Sequence, residues 1–406
     1  MTKNQDLLTR GKNVMVPNYA PLPIVPVRAQ GVTLFDADDK EYIDLTGGIA
    51  VTALGHCNRE VTKVIAEQAA TLMHVSNYFT NEPAIELAEA LCEKTGFERV
   101  FFANSGSEVN EAALKLARRY ATNLGDKPKH KIIAFHKAFH GRSLFTVTAG
   151  GTDAYKAGFG PLPAKMEHTS FNDLESLSAM MDGETCAVIM EPIMGEGGIH
   201  GSATEFAQGV RDLCDQHQAL LVFDEVQTGM GRTGDLFCFQ GLSVKPDILT
   251  TAKALGNGFP IGAMMTTAKI AEAFQPGTHG STFGGNPLAC SVGKKVLEII
   301  SRPETLAQVK KSGKLITAKM NTINEEFPIF SEIRGKGLLI GCQLNEQFKD
   351  KTKDILNKGI EQGVLTLLAG PDVLRFAPSL LITEDEINKA LGKLRLAIKE
   401  VYNESK

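Results

Sequence analysis

The chain has 406 residues, 43% hydrophobic and 22% charged, with a formal net charge of −4. That length buries a large core and suits two domains or one elaborated domain, and the ordinary composition excludes a fibrous or disordered chain. The near-balanced charge, without a basic stripe, excludes an electrostatic footprint for nucleic acid or an anionic membrane.

Taken in chain order, residues 17–26 read as extended and turn-broken. Residues 32–35 and 41–45 carry period-two apolar positions on either side of the acidic turn 36–39, which predicts a hairpin. Helices are expected over 58–73 and 83–94. From about residue 98 short apolar runs alternate with helical stretches: 100–103, 131–135, 186–190, 219–223 and 247–250. Near-continuous apolar strands between helices imply a largely parallel sheet covered on both faces, with its site at the carboxyl ends of the strands. Ser105, Glu191, Asp224 and Lys253 each fall just after such a run. A helix over 288–300 follows, then a helix through 323, strands at 330–334 and 337–344, and a helix to about 362. Strands near 364 and at 373–376 and a closing helix over 384–402 complete the pattern. The expected organisation is residues 1–58 as an N-terminal segment of a small domain, 59–290 as a large α/β domain, and 291–406 as the rest of the small domain. The first ten residues lack the apolar stretch of a secretory signal, and no run reaches the ~20 apolar residues of a membrane span. The seven cysteines are scattered and odd in number, without a Cys-x-x-Cys pair, so reduced thiols in a cytoplasm are expected.

The most informative pair is Asp224 and Lys253. The apolar run 219–223 leads into Asp224-Glu-Val-Gln227, and 29 residues after the aspartate stands Thr250-Thr-Ala-Lys253-Ala-Leu-Gly-Asn-Gly258. An acid at a strand end, followed by a lysine in a small-residue, glycine-rich turn, is what holding pyridoxal phosphate requires. The lysine amine forms the Schiff base, and the carboxylate keeps the pyridine nitrogen protonated. Most lysines are solvated surface residues; Lys253 differs in having no charge nearby in sequence, a setting that favours desolvation and a lowered pKa.

Asn104-Ser-Gly-Ser-Glu108 joins a strand to a helix, with capping-box spacing between Ser105 and Glu108. It is either a plain cap or, with Gly106 permitting close backbone approach, an anion site suited to a phosphate. Phe139-His-Gly-Arg142 offers an aromatic face and a guanidinium, the alternative being a packed phenylalanine and a surface arginine. His136 and His140 are four apart, but no His-Glu-x-x-His partner accompanies them and no metal site is expected. Gly229-Met-Gly231-Arg-Thr-Gly234 matches a dinucleotide fingerprint, but residues 235–239 do not read as an amphipathic helix, so nucleotide binding is rejected there. Glu196, in the loop Gly195-Glu-Gly-Gly198, is either a solvated acid or a neutralising partner for Arg375.

With these stretches assembled, the chain resembles the class III pyridoxal-phosphate aminotransferases, and more narrowly the acetylornithine/succinylornithine aminotransferases. The resemblance runs from Pro21-Leu-Pro-Ile-Val-Pro-Val and Gly47-Gly-Ile-Ala-Val through the motifs above and Gly280-Ser-Thr-Phe-Gly-Gly-Asn-Pro to Arg375-Phe-Ala-Pro-Ser. It implies an α/β fold of the type I pyridoxal-phosphate transferases: a large, mostly parallel sheet flanked by helices, plus a smaller α+β domain from both chain ends. It implies pyridoxal 5'-phosphate held by Lys253 and Asp224, with Gln227 near the ring hydroxyl and Val226 and Phe139 on the ring faces. Gly106 and Ser107 would hold the phosphate, joined by Thr282 from the neighbouring subunit, hence a homodimer with shared sites. Arg375 would bind the α-carboxylate of 2-oxoglutarate or glutamate with Glu196 as switch partner, and Arg142 and Ser281 would contact the acylated substrate. The implied reaction is ping-pong amino transfer from N2-acetyl-L-ornithine to 2-oxoglutarate. N2-succinylornithine, plain ornithine and γ-aminobutyrate stay open as donors, as do a racemase or aminomutase and a non-catalytic cofactor-binding dimer. Met194 and Asn257 depart from the family pattern, where glutamine and glycine are usual, and bear on fine substrate preference.

Overall fold

The computed structural model describes residues 1–125 and 129–405. Its centre is a seven-stranded sheet in the spatial order Arg99–Ala103, Gly262–Thr266, Ile248–Thr251, Leu220–Asp224, Thr185–Met190, Lys131–Phe135 and Met166–Thr169. Only Gly262–Thr266 runs against its neighbours; the other pairings are parallel. The five strands expected from their apolar runs are all present. The two the pattern missed have physical reasons to be quiet: Met166–Thr169 is a half-polar edge, and Gly262–Thr266 opens on glycine and alanine beside a glycine-rich turn.

Period-two alternation covers both faces of this sheet. Ile132, Ala134, Ala187, Ile189, Leu220 and Val222 pack with the helix Gly106–Asn123. Ile133, Phe135, Val188, Met190, Leu221 and Phe223 pack into the larger core on the other side. The helix carries its apolar positions at Val109, Ala112, Ala113, Leu116 and Ala117, the spacing of one buried face, and the small alanines let it lie close to the strands. Burying each Val or Leu on such a face stabilises by about 1.5–3 kcal/mol.

The smaller sheets draw on both chain ends. Pro26–Gln30, Thr33–Asp36 and Glu41–Asp44 form the expected hairpin region, and Val364–Leu365 from far along the chain adds to it in parallel. Phe330–Lys336, Leu339–Leu344, Val373–Phe376 and Leu367–Leu368 form a second four-stranded sheet. The architecture is therefore α/β, a largely parallel sheet between helices with a smaller α+β part. No helix among the described residues is long and apolar enough to cross a membrane.

Two buried ionisable side chains tie down the chain after the central strand through hydrogen bonds. Arg232, in the glycine-rich stretch that mimics a dinucleotide fingerprint, donates Nη1 to the carbonyls of Leu338 (3.2 Å) and Pro378 (2.5 Å). That stretch is a staple onto the smaller sheet, and only the five-residue helix Cys238–Leu242 follows it. Glu225, fully buried, accepts from the N–H of Cys238 (2.6 Å) and Phe239 (2.8 Å) and from Thr228 Oγ1 (3.1 Å). Burial pushes its carboxyl up to about 7 against those three hydrogen bonds. Glu225→Ala would orphan two buried N–H groups and is expected to cost about 3 kcal/mol in urea unfolding. The raised pKa means the folded state binds the proton more tightly than the unfolded one. Stability from this group is present below about 4.5 and is lost as pH rises to about 7. Glu225→Gln should therefore flatten the stability profile across that window relative to the parent protein.

Candidate active site

Alternation along Leu220–Asp224 puts Asp224 on the face that carries the helix Gly106–Asn123, two residues beyond Val222. There Asn110 donates Nδ2 to Asp224 Oδ2 at 2.7 Å, and its Oδ1 accepts from Thr250 Oγ1 at 2.7 Å. Thr250 stands opposite Asp224 in the parallel register. His140 Nδ1 meets the same Asp224 oxygen at 2.8 Å, and the N–H of Val226 reaches Oδ1 at 3.0 Å. An ionised carboxylate only accepts, so the proton of the His140 contact sits on Nδ1. Both side chains are buried, and His140 Nε2 has no partner among the described residues. Sequence reading weighed His140 only as a metal ligand with His136. Instead the two imidazoles diverge, His136 stacking on His168 at 6.0 Å. Asn110 was not singled out at all; its position one helical turn after Gly106 was the available signal.

Lys253 follows the strand Ile248–Thr251 and opens a short 3-10 turn with φ +43. Its Nζ makes no hydrogen bond to any described residue, and desolvation holds the amine below the ordinary lysine range. Asn257 ends this turn at φ +46, a left-handed position an asparagine tolerates. Its side chain accepts from Leu54 N–H (2.7 Å) and donates to Gly55 O (3.2 Å), so the departure from glycine adds a tie to the N-terminal segment.

Lys253 and Asp224 share a cavity of about 250 Å³ with Gly106, Ser107, Phe139, Arg142, Val226 and Gln227. Ser105 caps the helix that starts there, accepting from Glu108 N–H at 3.2 Å. The Glu108 carboxylate reaches past the cap to Asn104 N–H at 2.6 Å, a looser closure than the spacing predicts. The helix's first N–H groups, at Gly106 and Ser107, have no partner among the described residues, as at any helix start. A Cβ at Gly106 would lie 2.7 Å from Val226 Cγ1, so glycine is what lets Val226 approach. Ser107 Oγ is tied to Ser143 and Thr146, both at 3.0 Å, and accepts from the N–H of Arg142 and Ser143. Arg142 is exposed and lies over the Tyr155 ring at 3.6 Å, a partner the sequence reading did not name. Glu191, buried beside the cavity, accepts from Phe139 N–H (2.9 Å) and Gly195 N–H (3.0 Å). Burial, and then the charge of Asp224, raise its carboxyl.

Arg375 is buried and donates Nη1 to Glu196 Oε1 at 2.6 Å, to Gly195 O at 3.2 Å and to Gln227 Oε1 at 3.2 Å. Gln227 thus links this ion pair to the cavity. Ser281 and Thr282 lie elsewhere: they line a separate hollow with His74, Asn77 and Gly280. Ser281 Oγ accepts from Asn104 Nδ2 (3.3 Å) and Gly284 N–H (3.0 Å).

This donor set fits pyridoxal phosphate: a desolvated amine without a hydrogen-bond partner among the described residues, a buried carboxylate held by two side chains, and a helix start whose first two N–H groups, at Gly106 and Ser107, are free of partners among the described residues. Residues 14–398 match the family described as Aminotransferase class-III. The chain is 55% identical over 385 residues to "Acetylornithine aminotransferase" of Vibrio parahaemolyticus, covering 95% of this chain and 96% of the relative. It is 54% identical over 383 residues to "Succinylornithine transaminase" of Salmonella enteritidis, covering 94% of each. Among solved structures it superposes on the N-acetylornithine aminotransferase of Stenotrophomonas maltophilia with a TM-score of 0.85 at 41% identity, covering 97% of this chain and 98% of that one. On the ornithine aminotransferase of Toxoplasma gondii the TM-score is 0.95 at 31% identity, over 100% and 97%. The chain belongs to the class III aminotransferases, which depend on pyridoxal phosphate.

Proposed function

We propose that the protein transfers the terminal amino group of N2-acetyl-L-ornithine to 2-oxoglutarate, giving N-acetyl-L-glutamate 5-semialdehyde and L-glutamate, a step of arginine biosynthesis. The observation that carries this reading is the ion pair of the buried Arg375 with the half-buried Glu196, beside the cavity that holds Lys253 and Asp224. A site that alternates between two substrates needs a cation for the α-carboxylate of one and a means to neutralise it for the other. Arg375 binds the α-carboxylate of glutamate or 2-oxoglutarate; Glu196 covers the guanidinium when an ω-amine, without a carboxylate at the reacting carbon, takes its place.

Pyridoxal phosphate supplies, when bound, an electron-withdrawing ring that takes up the charge left as the substrate's C–H proton departs. Asp224 would hold the ring nitrogen in its protonated form, and Asn110 and His140 keep the carboxylate oxygen in place. Gly106 and Ser107 would hold the phosphate at the helix start, joined by Thr282 of the partner subunit. Val226 and Phe139, which line the same cavity, would hold the ring between them, and Gln227 would serve its hydroxyl. Lys253 anchors the cofactor between turnovers; its amine, made neutral more easily by desolvation, takes the proton at Nζ and returns it. Arg142 and Ser281 contact the acylated substrate.

The assembly is a homodimer with shared sites. Supporting this, Met73, Tyr78, Phe79 and Phe283 are exposed around the Ser281–Thr282 loop, and Asn77 Nδ2 joins that loop at the Ser281 carbonyl, 2.8 Å away. The seven free thiols suit a reducing cytoplasm.

With 2-oxoglutarate present, purified protein is expected to use N-acetylornithine with a kcat/KM at least about tenfold above that for ornithine or γ-aminobutyrate. Preference for either of those donors would overturn the substrate assignment, and no glutamate from any donor would overturn the reading of Lys253. N-succinylornithine is a second candidate donor, favoured by the 54% identity to the succinylornithine transaminase; the ratio of the two acyl donors decides between them.

A further inference from the structure

We infer that Arg334, which lies outside the cofactor cavity, is a positioning residue for Glu196 and so sets how the site divides its preference between dicarboxylates and ω-amines. The inference rests on the switch role of Glu196 proposed above.

Glu196 sits at the tip of a hairpin made by Ile193–Met194 and His200–Gly201. The tip contains three glycines and is nonetheless tightly packed. A Cβ at Gly195 would lie 2.4 Å from the Gln227 amide, and one at Gly197 would lie 2.7 Å from the Lys137 carbonyl. Gly198 adopts φ +107, with a Cβ position 3.1 Å from His200 Nε2. One side of this tip is held by the site, through the contacts of Arg375 with Glu196 and with the Gly195 carbonyl. The other is held from the smaller sheet. Arg334, on Phe330–Lys336, donates both Nε (3.0 Å) and Nη2 (2.5 Å) to the Gly198 carbonyl. Its fork is itself fixed, Nη1 on Glu332 Oε2 at 2.7 Å and Nη2 on Gln343 Oε1 at 3.2 Å, with His200 Nε2 also at 3.2 Å. With its side chain only 12% exposed, this planar cation is a rigid clamp two residues from Glu196.

A switch works only if its two positions are close in free energy and separately defined. Clamping Gly198 confines the change to the Glu196 side chain and keeps the tip in register with Arg375. Without the clamp the tip loosens, the pair with Arg375 weakens, and the uncovered buried guanidinium favours a carboxylate.

Arg334→Gln is expected to lower kcat/KM of the acylornithine half-reaction about tenfold while that of 2-oxoglutarate is kept or raised. Calorimetry with glutarate, a dicarboxylate that cannot react, should show tighter binding by about the same factor. Arg334→Lys, keeping the charge and one donor, should fall between. Gly198→Ala approaches the clamp from the loop and should move the ratio in the same direction, which serves if Arg334→Gln does not fold. In a Glu196→Ala background, Arg334→Gln should shift neither the ratio nor glutarate binding further. An equal loss in both half-reactions, or the same shift in the Glu196→Ala background, overturns the inference. A Glu196→Ala protein whose ratio matches the parent's overturns the switch reading first, and the inference with it, with Arg334 untouched.

Discussion

Lys253→Ala is expected to lower kcat for amino transfer by at least about 10⁴, because one amine is asked both to anchor the cofactor and to move the proton. The loss should fall on kcat more than on KM, since Nζ makes no hydrogen bond to a described residue and is proposed to act on the reacting carbon. Single-turnover mixing with N-acetylornithine checks it: the cofactor's absorbance change should slow by the same factor as steady-state turnover. The fold should not suffer. Desolvation lowers the Lys253 pKa in the folded chain, so the unfolded chain binds more protons, and stability from this group rises as pH climbs towards the unfolded value near 10.5. At neutral pH the lysine therefore opposes folding, and cofactor-free Lys253→Ala should melt at or above the parent's temperature. A variant that is inactive because it unfolds would melt lower, which separates the two causes.

Asp224→Asn is expected to lower kcat by about 10²–10⁴, with near-normal folding. The amide retains the shape but loses the charge proposed to hold a proton on the ring nitrogen. The neighbours add to the effect. Asn110 donates to Asp224 Oδ2 and His140 Nδ1 meets the same oxygen, so an amide NH₂ turned towards them would face two donors. His140→Asn should cost far less than Asp224→Asn if the imidazole only orients the carboxylate. Comparable losses would mean that His140 supplies more than orientation. Half-reaction rates across pH 6–9 are the measurement, and an Asp224→Asn protein within about threefold of the parent would reject the role given to the carboxylate.

Much of this was legible from local patterns because each signal lay within a few residues. Five of the sheet's seven strands announced themselves as apolar runs, since a strand buried on both faces has no polar alternation; the parallel edge strand Met166–Thr169, half-buried and half-polar, did not. Asp224 and Lys253 stood at the ends of two such runs, and adjacent parallel strands bring their carboxyl ends together. The cap at Ser105, the glycine at position 106 and the Phe139–Arg142 loop were readable for the same reason.

What only the tertiary structure decided involves partners far apart in sequence. The antiparallel strand Gly262–Thr266 is specified by its place between Arg99–Ala103 and Ile248–Thr251, since its own side chains have little strand preference. The helix Lys3–Val14 was read only for the absence of a signal, although Thr2 and Gln5 form a capping box at its start. Thr250–Asn110–Asp224–His140 joins four residues from three elements and a loop, and no spacing in the chain announces it. The Glu196–Arg375 pair spans 179 positions and the Arg334–Gly198 clamp 136. A sequence determines which side chains can do chemistry and which faces must be buried, because those properties belong to single residues and short periods. Which of them meet, and at what distance, is set by strand register and by the packing of the smaller sheet against the larger one.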